Sequence, residues 1–311
     1  MFDAISPVLP VFLVILSGYV VCRIGLISAE TGSVMNNFVF YIALPAFLLK
    51  AMAEVPTSHL FNWSYVLSFF LSSVFVFVFV SVVMKYVFKK SISDTVLAMM
   101  SGGYVNSAHL GIPIIMAVFG NISPIVVAIV MQVLIFMPII IFVLDFQIGN
   151  YSRGRGAFLV EILYRNPIIL ASALGFMLAT QEIKLPGFID DFCGLLGSAG
   201  VPTALFTLGF TLGGIKLQNS TSLVKEIGLL VFAKLLIHPL VACLIGVYIF
   251  GLSDKWLASL MVVTAMPTAV NSFVLSRRYK VAVDRSSIVV FATTAISTVT
   301  LPIITFLFGS R

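Results

Sequence analysis

The chain has 311 residues, of which 60% are apolar and only 10% charged, with a mean hydropathy of +1.14 and a formal net charge of +6. Soluble domains carry about 25% charged residues, so a water-soluble fold of this size is excluded and the surface faces lipid. At about 20 residues per span the chain holds ten spans with short connections, which excludes a sizeable extramembrane domain.

In chain order, apolar runs bounded by charge or turn residues predict spans at 5–22, 33–50, 63–84, 94–119, 122–144, 166–181, 192–214, 224–250, 256–276 and 285–308. Before the first, Met1 to Ile5 lacks both the basic residues and the small-residue cleavage site of a signal peptide, so the first span is expected to stay. Lys and Arg divide thirteen to four between the loops after odd spans and those after even spans, Lys234 lying inside a span. By the positive-inside rule both termini face away from the cytoplasm, in the inner membrane of the cell. The same rule, with contact to anionic lipid, accounts for the net positive charge without nucleic acid. Cys22, Cys193 and Cys243 are scattered in or beside apolar runs, read as packing residues, and suggest neither disulfides nor a metal site.

The longest polar connection, Phe146 to Arg165, carries three glycines and a short amphipathic piece, Phe158 to Tyr164. It divides the chain into 1–150, a cytoplasmic linker at 151–165, and 166–311. Shifting one half by 157 residues places Pro10 on Pro167, Leu13 on Leu170, Gly18 on Gly175, Tyr19 on Phe176 and Pro45 on Pro202. Because five spans is an odd number, a duplicated unit inserts its second copy upside down. The expected fold is an all-α polytopic membrane protein of ten transmembrane helices, an inverted 5+5 repeat of the kind that secondary transporters use.

Spans 4 and 9 hold equivalent places in the halves and each carries a helix breaker beside polar residues. Span 4 reads Gly102-Gly103-Tyr104-Val105-Asn106-Ser107-Ala108-His109-Leu110-Gly111-Ile112-Pro113, and span 9 reads Thr264-Ala265-Met266-Pro267-Thr268-Ala269-Val270-Asn271-Ser272. Proline and glycine divide each into half-helices, and broken backbone at that depth is tolerated only against protein or a watery cavity. Free N–H groups at the start of the second half-helices, near Pro113 and Pro267, favour a carboxylate. The candidate substrate residues are Asn106, Ser107, His109, Gly111, Pro113, Thr264, Pro267, Asn271 and Ser272.

These two strings, with Asn166-Pro167 opening the second half and Pro202-Thr203-Ala204-Leu205-Phe206-Thr207-Leu208-Gly209 in span 7, resemble the auxin efflux carrier family, above all its bacterial members. The resemblance runs from about residue 5 to 308. It implies membership of the bile/arsenite/riboflavin transporter superfamily and its ten-helix fold, in which a panel of two helix pairs rocks against a core where spans 4 and 9 cross. It also implies transport of organic anions, carboxylates such as malonate or malate among them. The long loop of many plant carriers is missing, the connection here being about 20 residues.

No carboxylate falls at mid-membrane, so neither a carboxylate proton relay nor an acidic sodium cage has the side chains it needs. Lys234 does lie near the midplane, eight residues beyond Glu226 and about 12 Å deeper. Intramembrane charge is costly and faces a cavity or a partner, so an anionic substrate pairs with it, or backbone carbonyls satisfy it, or it is neutral. His238 lies one turn further along the same face. The coupling assignment therefore rests on Lys234 and His238, with a proton or sodium as coupling ion; Gln132 and Asp145 are further polar residues of span 5. No paired carboxylates, HExxH, CxxC or GxxxxGK[ST] occurs, so the expectation is a transporter without cofactor or catalytic residues, acting on a small organic anion amid lipid and open to forming a homodimer. The competing readings are a sodium-coupled bile-acid-type symporter and, from another class, an intramembrane enzyme acting on lipid.

Overall fold

The computed structural model describes residues 9–28, 30–54, 62–120, 123–148, 167–214 and 221–308. Among them the regular structure is helical, save for one isolated antiparallel bridge between Val105 and Thr268. In chain order the helices are α1 (Leu9–Ile24), α2 (Thr31–Ala53), α3 (Trp63–Val87), α4 (Ile92–Gly103), α5 (Ile112–Phe119), α6 (Pro124–Gln147), α7 (Pro167–Thr180), α8 (Gly187–Gly214), α9 (Ser222–Ile249), α10 (Asp254–Thr264), α11 (Val270–Tyr279) and α12 (Val283–Phe308). Among the described residues, six of these, α2, α3, α6, α8, α9 and α12, are long and apolar enough to cross a membrane, and the chain is a multi-pass membrane protein. The linker at 151–165, with its amphipathic piece at Phe158 to Tyr164, lies outside the described residues, as do both termini.

Prolines shape the helices in a regular way. Four π-helical turns, Val39–Ala43, Ser107–Gly111, Gln132–Phe136 and Ala233–Ile237, each end two residues before a proline, at Pro45, Pro113, Pro138 and Pro239. A proline has no N–H for the carbonyl four residues back, and its ring crowds that carbonyl. The residue just ahead of it then reaches one carbonyl further: Leu44 donates to Val39, Met137 to Gln132 and His238 to Ala233. The turn widens while the helix continues. Pro202 and Pro302 sit inside α8 and α12, which run without such a turn.

The helices sort into two groups by what they touch. In the first, α1 packs along α8, and α2 along α7 and α8. Glycine allows the closest approaches: a Cβ added at Gly18 would collide with the Phe206 carbonyl oxygen, one at Gly209 with that of Ile15, and one at Gly175 with that of Leu49. Gly18 against Phe206 and Gly175 against Leu49 are the same contact made twice, because both members are displaced by the same 157 residues. Within this group Lys50, near the end of α2, pairs with Asp190 at the start of α8 at 2.6 Å.

The second group contains α3 to α6 and α9 to α12. Here α4 lies against α3, α6, α9, α11 and α12, while α10 contacts α3, α6 and α12. Its polar interior includes an ion cluster at one end. Arg285 and Glu226, each with a side chain only 3% exposed, pair at 3.0 Å; Lys90 adds a second cation at 2.7 Å from Glu226, and Arg285 also pairs with the Asp94 carboxylate. These charges fasten the starts of α4, α9 and α12 together. Between the groups, α8 meets α11 and α12, α2 meets α11, and α7 meets the π turn of α6.

Candidate functional site

Both interrupted helices break where glycine and proline weaken them, and the breaks meet. After Gly103 the backbone of Tyr104 turns extended, with ψ of 122°, and after Thr264 the chain stays non-helical until Val270, Ala269 being extended. The two stretches run antiparallel. Asn106 N–H donates to the Pro267 carbonyl at 2.9 Å, and Ala269 N–H donates to the Tyr104 carbonyl at 3.0 Å, with Val105 opposite Thr268. Each unwound segment thus satisfies part of the other's backbone, which unpaired would cost several kcal/mol per group in hydrocarbon.

Pro113 and Pro267 do not occupy equivalent places. Pro113 is in the first turn of α5, whereas the interruption itself falls earlier, at Tyr104 to Asn106; Pro267 lies within the extended stretch ahead of α11 rather than in its first turn. The side chains of His109 and Pro113 lie outside the described residues.

The remaining candidates surround the paired segments. Asn106, Ser107, Thr264 and Ser272 are all buried. Ser107 donates to Gln132 Oε1 at 2.6 Å, and Tyr104 Oη donates to the Gln132 carbonyl at 2.9 Å, so the π turn of α6 backs the first break. Gly111 leaves room chiefly for Ile125 of α6, whose Cδ1 would lie 2.5 Å from an added Cβ, with Met266 Sδ of the second segment next at 3.2 Å. Ser272 shares a 2.6 Å hydrogen bond with Ser101 of α4, and Thr268 Oγ1 donates to the Ser101 carbonyl at 2.6 Å. Asn271, in the first turn of α11, has a buried side-chain oxygen with no hydrogen-bond partner among the described residues. A buried amide group of that kind is costly unless something completes it.

Lys234 and His238 join this region from α9. Both are fully buried, and Lys234 Nζ donates to the Thr264 carbonyl, at the end of α10, at 2.7 Å. It also lies 3.2 Å from His238 Nδ1, and the other ring nitrogen of His238 is 3.3 Å from Ser73 Oγ of α3. A backbone carbonyl thus satisfies part of the Lys234 ammonium. Arg285, counted among the loop cations at the edge of the tenth span, lies inside the first turn of α12.

Sequence reading undervalued Gln132, Tyr104 and Ser101, and passed over Ser73. Gln132 carries a signal, a polar residue in an apolar run; Ser73 and Ser101 carry none, because serines are common in membrane helices. Among the described residues no group of three or more His, Cys, Asp or Glu is gathered as a metal site would need.

Comparison with known proteins gives the chain its family. The model of the family described as "Membrane transport protein" matches residues 3–161 and 156–305. The chain is 25% identical to the "Putative malonate transporter" of Rhizobium meliloti (strain 1021), covering 97% of this chain and 95% of that one. It is 22% identical to "Auxin efflux carrier component 5" of Arabidopsis thaliana, covering 89% of each. With "Uncharacterized transporter YfdV" of Escherichia coli (strain K12) it shares 24% identity, covering 89% of this chain and 88% of the relative. With matches over nearly its whole length and relatives that are transporters rather than enzymes, the chain belongs to the membrane transport protein family, that of the auxin efflux carriers.

Proposed function

We propose that the protein is a secondary active transporter of small organic anions, carboxylates such as malonate, with the substrate seated where spans 4 and 9 cross. The observation that carries this reading is the pairing of the two breaks, Tyr104–Asn106 with Pro267–Ala269, beside the uncompleted amide of Asn271. Asn and Gln ends are interchangeable in such a site, so the same amide turned about offers N–H donors to a carboxylate. The early N–H groups of α11 lie next to it and add a positive dipole end. Asn106, Ser107, His109, Gly111, Pro113, Thr264, Pro267 and Ser272 complete the site, with Lys234 supplying positive charge and Lys234 and His238 coupling to a proton or sodium.

The ten spans form an inverted 5+5 repeat, divided at 1–150 and 166–311. The duplicated glycine contact, Gly18 on Phe206 and Gly175 on Leu49, supports this symmetry. The group of α1, α2, α7 and α8 rocks against the remainder for alternating access. Both termini face away from the cytoplasm, which labelling of cysteines placed near residues 2 and 311 by an impermeant reagent tests; protection of both would reverse the topology.

Purified protein in liposomes should take up radiolabelled malonate unchanged, with uptake that saturates and is competed by malate. Conversion of the solute to a product, or no uptake of any di- or monocarboxylate, would defeat the proposal. The malonate assignment draws on the relative named "Putative malonate transporter", at 25% identity.

A further inference from the structure

We propose that Lys234 is a tethered cation: its ammonium occupies, on the carbonyl end of α10, the position that a mobile monovalent cation would otherwise fill, so the break in span 9 needs no bound sodium. The inference deepens the transporter reading by addressing what balances the broken helix.

A helix that stops inside a protein leaves its last carbonyls without partners and gathers partial negative charge there. At the end of α10, the Met261 carbonyl accepts from Ala265 N–H at 3.0 Å and the Val263 carbonyl from Met266 N–H at 3.3 Å. Thr264 contributes its hydroxyl back to Leu260 at 2.7 Å, which leaves its own carbonyl facing α9. Lys234 Nζ meets that carbonyl at 2.7 Å with no solvent exposure. Two carboxylates of this helix group are engaged elsewhere, Glu226 with Lys90 and Arg285, and Asp94 with Arg285.

Local structure aims the side chain. Lys234 lies in the π turn Ala233–Ile237 that Pro239 imposes, and the widened turn brings Nζ and His238 Nδ1 within 3.2 Å. His238 is fixed from the other side by Ser73. Carbonyl and imidazole nitrogen thus form a pair of acceptors around one N–H-bearing cation. This geometry suits a primary ammonium, with its three donors, better than a sodium ion, which takes more oxygen ligands than Thr264 alone provides.

Lys234→Ala removes what is in effect n-propylammonium and leaves the acceptors behind. In detergent, n-propylammonium chloride should raise the melting temperature of this variant saturably, by roughly 5 °C at a hundredfold excess over its Kd. Choline chloride at equal ionic strength, which has no N–H, and n-propanol, which fills the space without charge, should have no such effect, and wild type should not respond. Equal rescue by propanol, or none by propylammonium, overturns the idea. If Lys234→Ala yields no folded protein, wild type decides: its melting temperature should be the same in sodium and choline chloride, and a sodium-specific rise refutes the proposal. These readouts need no transported solute, so an absence of malonate uptake would count against the substrate assignment alone.

Discussion

The two helix groups are held together by opposite means. Between α1, α2, α7 and α8 the helices approach until backbone touches backbone, with glycine at the contacts and ion pairing near the helix ends, as between Lys50 and Asp190. Between α4, α9, α10, α11 and α12 the contacts are polar: hydroxyls of Ser101, Ser272, Ser276 and Ser286 in a chain, an ion cluster at Arg285, and the paired breaks. Lipid offers no hydrophobic drive between helices, so close van der Waals packing and interhelical hydrogen bonds are the two means available. Close packing through glycine relies on matched shape, whereas polar pairing relies on fixed hydrogen-bond geometry.

The largest effect should come from the ion cluster. Arg285→Met leaves Asp94 without its cation and Glu226 with Lys90 and the Ser222 hydroxyl, and breaking a buried pair costs about 3–5 kcal/mol. Loss of the monodisperse peak in size-exclusion chromatography is the expected result; a variant as stable as wild type would show the cluster to be incidental.

Next come the glycine contacts. Gly18→Ala and Gly175→Ala should each lose about 1–3 kcal/mol through overpacking, and by similar amounts because the contacts are duplicates. Gly228→Ala in α9, where an added Cβ meets nothing within 4 Å, should be neutral or stabilising by thermal melting. Unequal losses at Gly18 and Gly175 would speak against the repeat. Smaller still, Ser101→Ala should cost about 0.6 kcal/mol, the average for such bonds in membranes; a loss of several kcal/mol would mean that the hydroxyl chain acts as one network.

Much of this was readable in the residues. Apolar runs located the helices to within a few positions, and the 157-residue shift that aligned Gly18 with Gly175 also relates their contacts. The position of the first break was not readable: Pro113 stands out, but a π turn absorbs it, and the helix opens instead behind Gly102-Gly103, where Tyr104 turns extended. Burial of Arg285 was hidden because a charge near a span end reads as a loop residue. The bond from Lys234 to Thr264 depends on which carbonyl a broken helix exposes toward α9, which no residue pattern encodes.

If the paired breaks bind the substrate, Asn271→Ala tests it most directly, because its side-chain oxygen has no partner among the described residues to lose. Malonate uptake into proteoliposomes should fall at least tenfold, while the melting temperature without solute stays within about 2 °C of wild type, a shift worth less than about 1 kcal/mol. Uptake at the wild-type rate, with malonate still raising the melting temperature, would place the site elsewhere.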